Sequence, residues 1–149
     1  MYEWVAGKAL SALGRPQDAV ELFREALKTD PNLPETHFNL GLAFETQGRP
    51  DDAIRCYQRA LKINKYNPSI ANRLGIAYHQ SQRLRDAERQ YKAALKINKY
   101  YLQALNNLGS VEYTRKRYQR AMNYYGKALE ISPNSPTILQ NYGSCLFAM

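Results

Sequence analysis

Apolar and small residues recur at steps of three and four along most of the chain, and short polar breaks separate the stretches. One polar break is "QGRPDD", at residues 47–52. Before it come Leu40, Gly41 and Phe44, and after it come Ala53, Tyr57, Ala60 and Leu61. This spacing places side chains on one stripe of a helix. The pattern predicts two amphipathic helices joined by a turn, with Gly48 near the end of the first and Asp51 or Asp52 near the start of the second.

The same pattern returns every 34 residues, and the heptapeptide "ALKINKY" occurs at 60–66 and again at 94–100. Three columns have this spacing: Ala19, Ala53, Ala87 and Ala121; Phe23, Tyr57, Tyr91 and Tyr125; and Ala26, Ala60, Ala94 and Ala128. "NLG" at 39–41 and 107–109 aligns with "RLG" at 73–75 and "NYG" at 141–143. Small residues let two helices cross closely, and an aromatic ring fills the adjacent hole. Each period is therefore predicted to be one helix, turn, helix and short link.

These small and aromatic residues, with Pro31 and Pro133 late in their units, resemble the tetratricopeptide repeat. Lys65 and Lys99 replace that proline in the middle units, which is a departure from the pattern. The resemblance covers almost the whole chain. It implies an all-α fold, an α-solenoid of helix-turn-helix repeats that forms a right-handed superhelix with its first helices lining the concave face.

We expect a single array over 1–149, with units at 1–33, 34–67, 68–101 and 102–135. The first unit has a partial start, and 136–149 is expected to be the first helix of a fifth unit or a capping helix. This last helix carries apolar residues on more than one side: Ile138, Leu139, Tyr142, Leu146 and Phe147. Because solenoid ends need a polar outer face, we expect either a slice of a longer array or a surface that meets another copy.

Residues that could support catalysis are scattered. His37 and His79 are the only histidines, and they fall in different units. The glycines of "GRPQDA" and "GRPDDA" belong to inter-helix turns, and no phosphate-binding glycine motif occurs. Cys56 and Cys145 lie far apart without a metal-ligand spacing, so two free thiols in a reduced setting are expected. The sequence predicts a protein that is not an enzyme and has no cofactor, metal or small-molecule substrate.

The resemblance implies that function lies in the concave groove, which side chains at set positions of the first helices would line. The column at the sixth position of each unit consists of Asn39, Arg73, Asn107 and Asn141. The further groove candidates are Phe38, Leu42, Asn72, Ile76, Asn106 and Tyr113, with Trp4, Val5 and Lys8 in the first unit. A carboxamide both donates and accepts hydrogen bonds, so it suits the backbone of an extended peptide. The column resembles the asparagine ladder of the O-linked N-acetylglucosamine transferase superhelix, which holds peptide backbones.

Two other interpretations of the groove remain open. "NLG" is frequent in this family, so its asparagines could be solvated or bonded locally. The second interpretation is a carboxylate clamp of the kind that captures chaperone C-termini. Asn39 and Arg73 fit that clamp and Lys8 is near, but Trp4 and Ser69 stand where lysines are expected.

The net charge of +8 is concentrated in the third and fourth units. Arg15, Arg49, Arg83 and Arg117 also recur at the turns between paired helices. Solvated charge on an outer face is the favoured interpretation, followed by an acidic protein partner, and nucleic acid or anionic lipid is least favoured. Nucleic acid would use tyrosines as stacking platforms, but most of the tyrosine columns are predicted to lie in the core.

Three function classes remain. The leading hypothesis is a non-catalytic protein–protein interaction scaffold that binds an extended peptide segment in the concave groove. One form of this hypothesis has an acidic peptide as the partner. The second is a structural assembly module that self-associates through its C-terminal helix or joins a secretion, envelope or multi-enzyme complex. The third is a targeting domain of a larger enzyme. No apolar run is long enough to span a membrane, and the absence of an export signal in this segment favours the cytoplasm.

Overall fold

The computed structural model describes residues 7–8 and 14–149, and in this part of the chain all regular structure is helical. The helices are α1 (Pro16–Thr29), α2 (Pro34–Thr46), α3 (Pro50–Ile63), α4 (Pro68–Gln80), α5 (Leu84–Ile97), α6 (Leu102–Thr114), α7 (Tyr118–Ile131) and α8 (Pro136–Ala148). Among these eight helices, none combines the length and the hydropathy that crossing a membrane requires.

Helix starts and turns follow local sequence signals. Helices α2, α4 and α8 begin with proline, whose fixed φ angle suits the first helical position. Asn67 caps α4, because its side-chain oxygen accepts the backbone N–H of Ser69 at 2.9 Å. The turn before α3 contains Gly48 in the left-handed region, with φ of 69°. The equivalent turns before α5 and α7 place Gln82 and Lys116 there, each with φ of 59°.

The predicted columns form the core of each hairpin. The first alanine column is fully buried, and so are Phe23 and Tyr57 of the aromatic column. The ring of Tyr57 lies on Gly41, where an added Cβ would be 2.5 Å from Cε1 of the tyrosine. Gly75 has the same relation to Tyr91. The glycine of "NLG" or "RLG" is therefore the contact point at which the first helix meets the aromatic residue of the second.

Successive hairpins stack on one another to form a solenoid. The pairs α2–α3, α4–α5 and α6–α7 pack most extensively, and α3 on α4, α5 on α6 and α7 on α8 join them. Helix α4 also contacts α6, and α6 contacts α8, whereas no two second helices in the described part approach as closely. The first helices therefore line the inner face. This architecture confirms the predicted all-α solenoid; the exact unit boundaries stay a prediction.

Helix α8 is covered on one side only. Ile138 and Cys145 are buried against α7 and its neighbours. Leu146 and Phe147 are exposed, the latter at 97% of its surface. Gly143 aligns with Gly41 in its unit, but no atom lies within 4 Å of a Cβ built on it.

Candidate peptide-binding groove

Two pairs of asparagines link first helices of neighbouring hairpins along the inner face. Nδ2 of Asn107 donates to Oδ1 of Asn72 at 2.9 Å, and Nδ2 of Asn141 donates to Oδ1 of Asn106 at 3.0 Å. In each pair the sixth residue of one unit bonds to the fifth residue of the unit before it. The structure thus joins four of the predicted groove residues into two inter-repeat bonds.

These pairs leave hydrogen-bonding capacity on the inner face. Asn107 and Asn141 are half-buried, and each uses one of its two amide hydrogens in the pair. Within the described residues, the side-chain oxygen of neither accepts a hydrogen bond from the protein. Their orientation is set by the partner asparagine, so a ligand would meet a carboxamide that is already positioned.

Arg73 interrupts the asparagine column and is held by a different contact. The preceding unit has Phe38 where a partner asparagine would be needed. Instead, Nη1 of Arg73 lies 3.7 Å from Oε2 of Glu45. The same carboxylate oxygen accepts the Tyr57 hydroxyl at 2.7 Å. Burial raises the pKa of Tyr57, and the bond to the Glu45 carboxylate raises it further, so this hydroxyl keeps its proton.

The α2–α4 end of the groove is more apolar. Phe38, Leu42 and Ile76 are half-buried and pack on the core. The ring of Phe38 also meets Tyr57 with a centroid distance of 5.6 Å. Asn39 is buried, and its Nδ2 has no hydrogen-bond partner among the described residues.

Two cavities lie at opposite ends of this surface. One of about 360 Å³ is lined by Pro34, Glu35, Phe38, Asn64, Asn67, Ser69 and Ile70. The other, of about 200 Å³, is lined by Ser110, Tyr113, Thr114, Tyr125, Asn141 and Ser144. The structure thus brings Tyr113 and Asn141 together and places Phe38 in a separate pocket. Trp4 and Val5 lie outside the described residues, and Lys8 is exposed.

Sequence reasoning missed a structural role of the turn arginines. The guanidinium carbon of Arg49 lies 4.7 Å from the ring centroid of Phe44, and that of Arg83 lies 4.6 Å from that of Tyr78. Each arginine follows its aromatic residue by five positions, across the turn. Such cation–π contacts stabilise the turn, so these arginines have a structural role in addition to their charge. The same five-residue offset from Phe44 to Arg49 and from Tyr78 to Arg83 could have revealed them.

In the fourth unit an ion-pair network replaces the aromatic contact. Glu112 occupies the position of Phe44 and Tyr78 and is buried. Nη1 of Arg115 donates to Glu112 at 2.8 Å and to Glu88 of α5 at 2.7 Å. The contact with Glu112 is local, three residues apart, but the contact with Glu88 crosses from one hairpin to the next, so no local sequence pattern predicted it. A buried carboxylate of this kind requires its cation.

The isolated histidines and cysteines occupy structural positions. Nε2 of His37 lies 2.9 Å from the carbonyl oxygen of Pro31. Burial lowers the pKa of His79 and so disfavours its charged form. Both cysteines are free and buried, and burial raises the pKa of the Cys56 thiol to about 11. A thiol with that pKa is almost entirely protonated at neutral pH and is a poor nucleophile.

The stacked hairpins, with a glycine under each second-helix aromatic, define a helical-repeat solenoid. The sequence matches the Tetratricopeptide repeat family over residues 5–68 and 72–136. The chain belongs to this family, whose members are typically non-catalytic interaction modules. No curated protein sequence matches the chain.

Solved structures with the same fold extend the comparison. A crystal structure of MamA has 25% identity, covers 93% of this chain and 81% of its own, and superposes with a TM-score of 0.86. PilF of Pseudomonas aeruginosa has 24% identity over 97% of this chain and 66% of its own, with a TM-score of 0.88. The first tetratricopeptide domain of Spaghetti (RPAP3), bound to the HSP90 peptide SRMEEVD, has 23% identity and a TM-score of 0.74. The match covers 77% of this chain and 94% of that domain.

Proposed function

We propose that this chain is a non-catalytic scaffold that binds an extended peptide along the inner face of its first helices. The observation that carries the proposal is the pair of positioned carboxamides, Asn107 and Asn141, on adjacent first helices. Each offers an unpaired oxygen and one amide hydrogen to a peptide backbone, which supplies both complementary groups. Such recognition reads the backbone and tolerates many side chains.

Two hydrogen bonds of this kind contribute on the order of 1 kcal/mol each. Additional binding energy is expected from apolar contacts at the other end, where Phe38, Leu42 and Ile76 are half-buried on α2 and α4. The bound segment would therefore place an apolar side chain near Phe38. It would lie in extended form over the asparagines of α6 and α8.

The RPAP3 domain supports peptide binding by this fold, since it holds SRMEEVD. A carboxylate clamp is less well supported in this chain. Ser69 lines the cavity at Phe38 together with Glu35, and the acidic side chain there would repel a peptide carboxylate. Arg73 already pairs with Glu45, which lowers its capacity for a second acidic partner.

The test begins with a random peptide library selected against the wild-type protein. The affinity of an enriched peptide is then measured for Asn107→Ala combined with Asn141→Ala. Loss of two backbone contacts should weaken binding by about tenfold or more. Asn123→Ala is the matched control, because Asn123 is an exposed carboxamide on the second helix α7.

Thermal unfolding of each variant separates binding from folding, since both ladder asparagines also link neighbouring hairpins. The proposal fails if the double variant keeps its melting temperature and binds as well as the Asn123 control. It also fails if no peptide is enriched.

A second candidate function is assembly through α8. The observation that favours it is Gly143, which presents the same flat contact point as Gly41 but has no ring on it. Exposed Leu139, Leu146 and Phe147 flank it, and α8 contains no charged residue. Apolar surface of this kind favours association with another helix.

Sedimentation of Phe147→Glu tests this candidate. If α8 mediates self-association, the wild type should show a concentration-dependent increase in mass that Phe147→Glu abolishes. Tyr66→Glu is the control, because Tyr66 is 71% exposed but lies in the link between α3 and α4. A wild-type protein that stays monomeric at all concentrations would exclude self-association.

A further inference from the structure

The hairpin turns of the first three units share an internal ion pair. Nε of Arg49 donates to Oδ2 of Asp52 at 2.7 Å, and Nε of Arg83 donates to Oδ2 of Asp86 at 2.9 Å. Arg15 and Asp18 form the same bond at 2.7 Å. In each case the aspartate lies in the first turn of the second helix, three residues after the arginine. The fold therefore seats one carboxylate against each of these turn arginines.

The fourth turn has the arginine but lacks the carboxylate. Arg117 stands in the arginine column, and Arg120 occupies the place of the aspartate. The first turn of α7 contains no acidic residue. Arg117 is half exposed, and its closest carboxylate is that of Glu112, at 3.8 Å, which Arg115 already binds at 2.8 Å. Two guanidinium groups thus begin α7 where the other hairpins place opposite charges.

Further cations surround this turn. Lys116 is exposed at its tip, and in the part of the chain that the structure describes neither Lys116 nor Arg120 forms an ion pair. Arg85 of the preceding hairpin lines a depression of about 420 Å³ together with Arg115 and the Arg83–Asp86 ion pair, so cationic side chains continue onto the neighbouring turn. We name Arg85, Lys116, Arg117 and Arg120 the fourth-turn patch.

We propose that the fourth-turn patch binds an acidic segment of a partner protein, whose carboxylate takes the place that Asp18, Asp52 and Asp86 fill in the other hairpins. A guanidinium binds a carboxylate through a planar fork. The N-terminal end of α7 adds favourable interaction with negative charge. This surface lies on the turns and is separate from the groove of the first helices.

The geometry favours carboxylate over nucleic-acid phosphate. In this chain the equivalent arginines already bind carboxylates in three places. The nearest aromatic residues, Tyr113 and Tyr118, stack edge to face on each other with a centroid distance of 5.3 Å. Tyr118 is half-buried, and Tyr113, which is 39% exposed, is engaged in this edge contact, so neither ring is free on both faces as a stacking platform.

The decisive variant is Arg120→Asp, which restores the pattern of the other three turns. It should form an internal pair with Arg117 and so compete with any external carboxylate. The matched control is Arg59→Asp on α3, an exposed site with the same change of charge. The probe is fluorescein-labelled hexaglutamate at low ionic strength, where surface electrostatics are strongest.

We expect wild type to bind hexaglutamate and Arg120→Asp to weaken binding by about tenfold, with Arg59→Asp changing it by less than about twofold. The melting temperature of Arg120→Asp should equal or exceed that of wild type, since an aspartate suits a helix N-terminus. Equal loss in both variants would attribute binding to net charge alone and overturn the proposal.

A single-stranded oligonucleotide of matched charge supplies the second arm. If it binds more tightly than hexaglutamate and loses its affinity in Arg120→Asp, the patch recognises phosphates and the carboxylate assignment is wrong. Absence of hexaglutamate binding by the wild type also overturns it. The groove variant with Asn107 and Asn141 changed to alanine should bind hexaglutamate as the wild type does, which keeps this test distinct from that of the groove.

Discussion

The ring of Tyr91 packs on Gly75 so closely that a Cβ on the glycine would lie 2.5 Å from Cε1 of the tyrosine. The ring is almost fully buried, with 1% of Tyr91 exposed, so it has little freedom to move away. This contact fixes the distance between α4 and α5. It also explains why a glycine stands in the middle of a helix, where its flexibility disfavours folding.

Gly75→Ala should therefore lower the free energy of unfolding by about 2 kcal/mol, because overpacking in a well-packed core is destabilising. Urea denaturation measures the change. Gly126→Ala is the control, since Gly126 lies inside α7 with no neighbouring atom within 4 Å of an added Cβ. That substitution should stabilise by about 0.5–1 kcal/mol. A Gly75→Ala protein as stable as wild type would contradict the proposed contact.

Gln82→Gly should stabilise the protein. Gln82 occupies the left-handed region with φ of 59°, where Gly48 stands in the equivalent turn. A residue with a Cβ loses about 1–2 kcal/mol of stability in this conformation, and glycine avoids that loss. Glycine also gives the unfolded chain more conformational freedom, which offsets part of the gain. We expect a net gain of about 0.5 kcal/mol by chemical denaturation.

Gln80→Gly, two residues earlier, tests whether position or residue type is responsible. Gln80 is the last residue of α4, and glycine there should be neutral or destabilising. If both substitutions change stability equally, backbone strain at Gln82 is not the cause.

Stability should depend on the Glu88 carboxylate in acid. Hydrogen bonds from Lys92 and Arg115 lower the pKa of Glu88. A carboxyl group whose pKa is lower in the folded than in the unfolded protein stabilises fully above its unfolded pKa, near 4.3, and loses that contribution as the pH falls towards the folded value. The difference in unfolding free energy between wild type and Glu88→Gln should therefore be largest near neutral pH and shrink in acid.

Glu130→Gln provides the reference, because Glu130 is exposed on α7. Its difference from wild type should stay small across the same pH range. A Glu88→Gln difference that does not change with pH would mean that this carboxylate contributes no net charge interaction.

The two buried thiols should differ in their rate of modification. Cys56 lies on α3, which is packed between α2 and α4, whereas α8 with Cys145 packs on α7 and makes a smaller contact with α6. Helix α8 should open locally at a lower free energy. Ellman's reagent should therefore react faster with the Cys56→Ser protein, which keeps Cys145, than with the Cys145→Ser protein. Equal rates would show that α8 opens only with the rest of the solenoid.

Much of the fold could be predicted from residues within one unit. The alanine and aromatic columns repeat because each hairpin solves the same packing problem, and helices begin at Pro34 and Pro68 because proline suits the first turn. The sequence also named Asn107 and Asn141 as groove residues, which stays a prediction, and their role in binding is a proposal. In these cases the signal and its structural effect lie close together along the chain.

Contacts between units could not be obtained in this way. The bond from Asn107 to Asn72 spans 35 positions, and that from Arg115 to Glu88 spans 27. Both depend on the angle at which one hairpin stacks on the next, and many polar side chains are compatible with the same 34-residue pattern. The sequence alone therefore determines the period and the core columns, because the same local packing repeats in each unit. The tertiary structure decides the partner of each polar side chain, because the stacking of the hairpins sets which atoms come within hydrogen-bond distance.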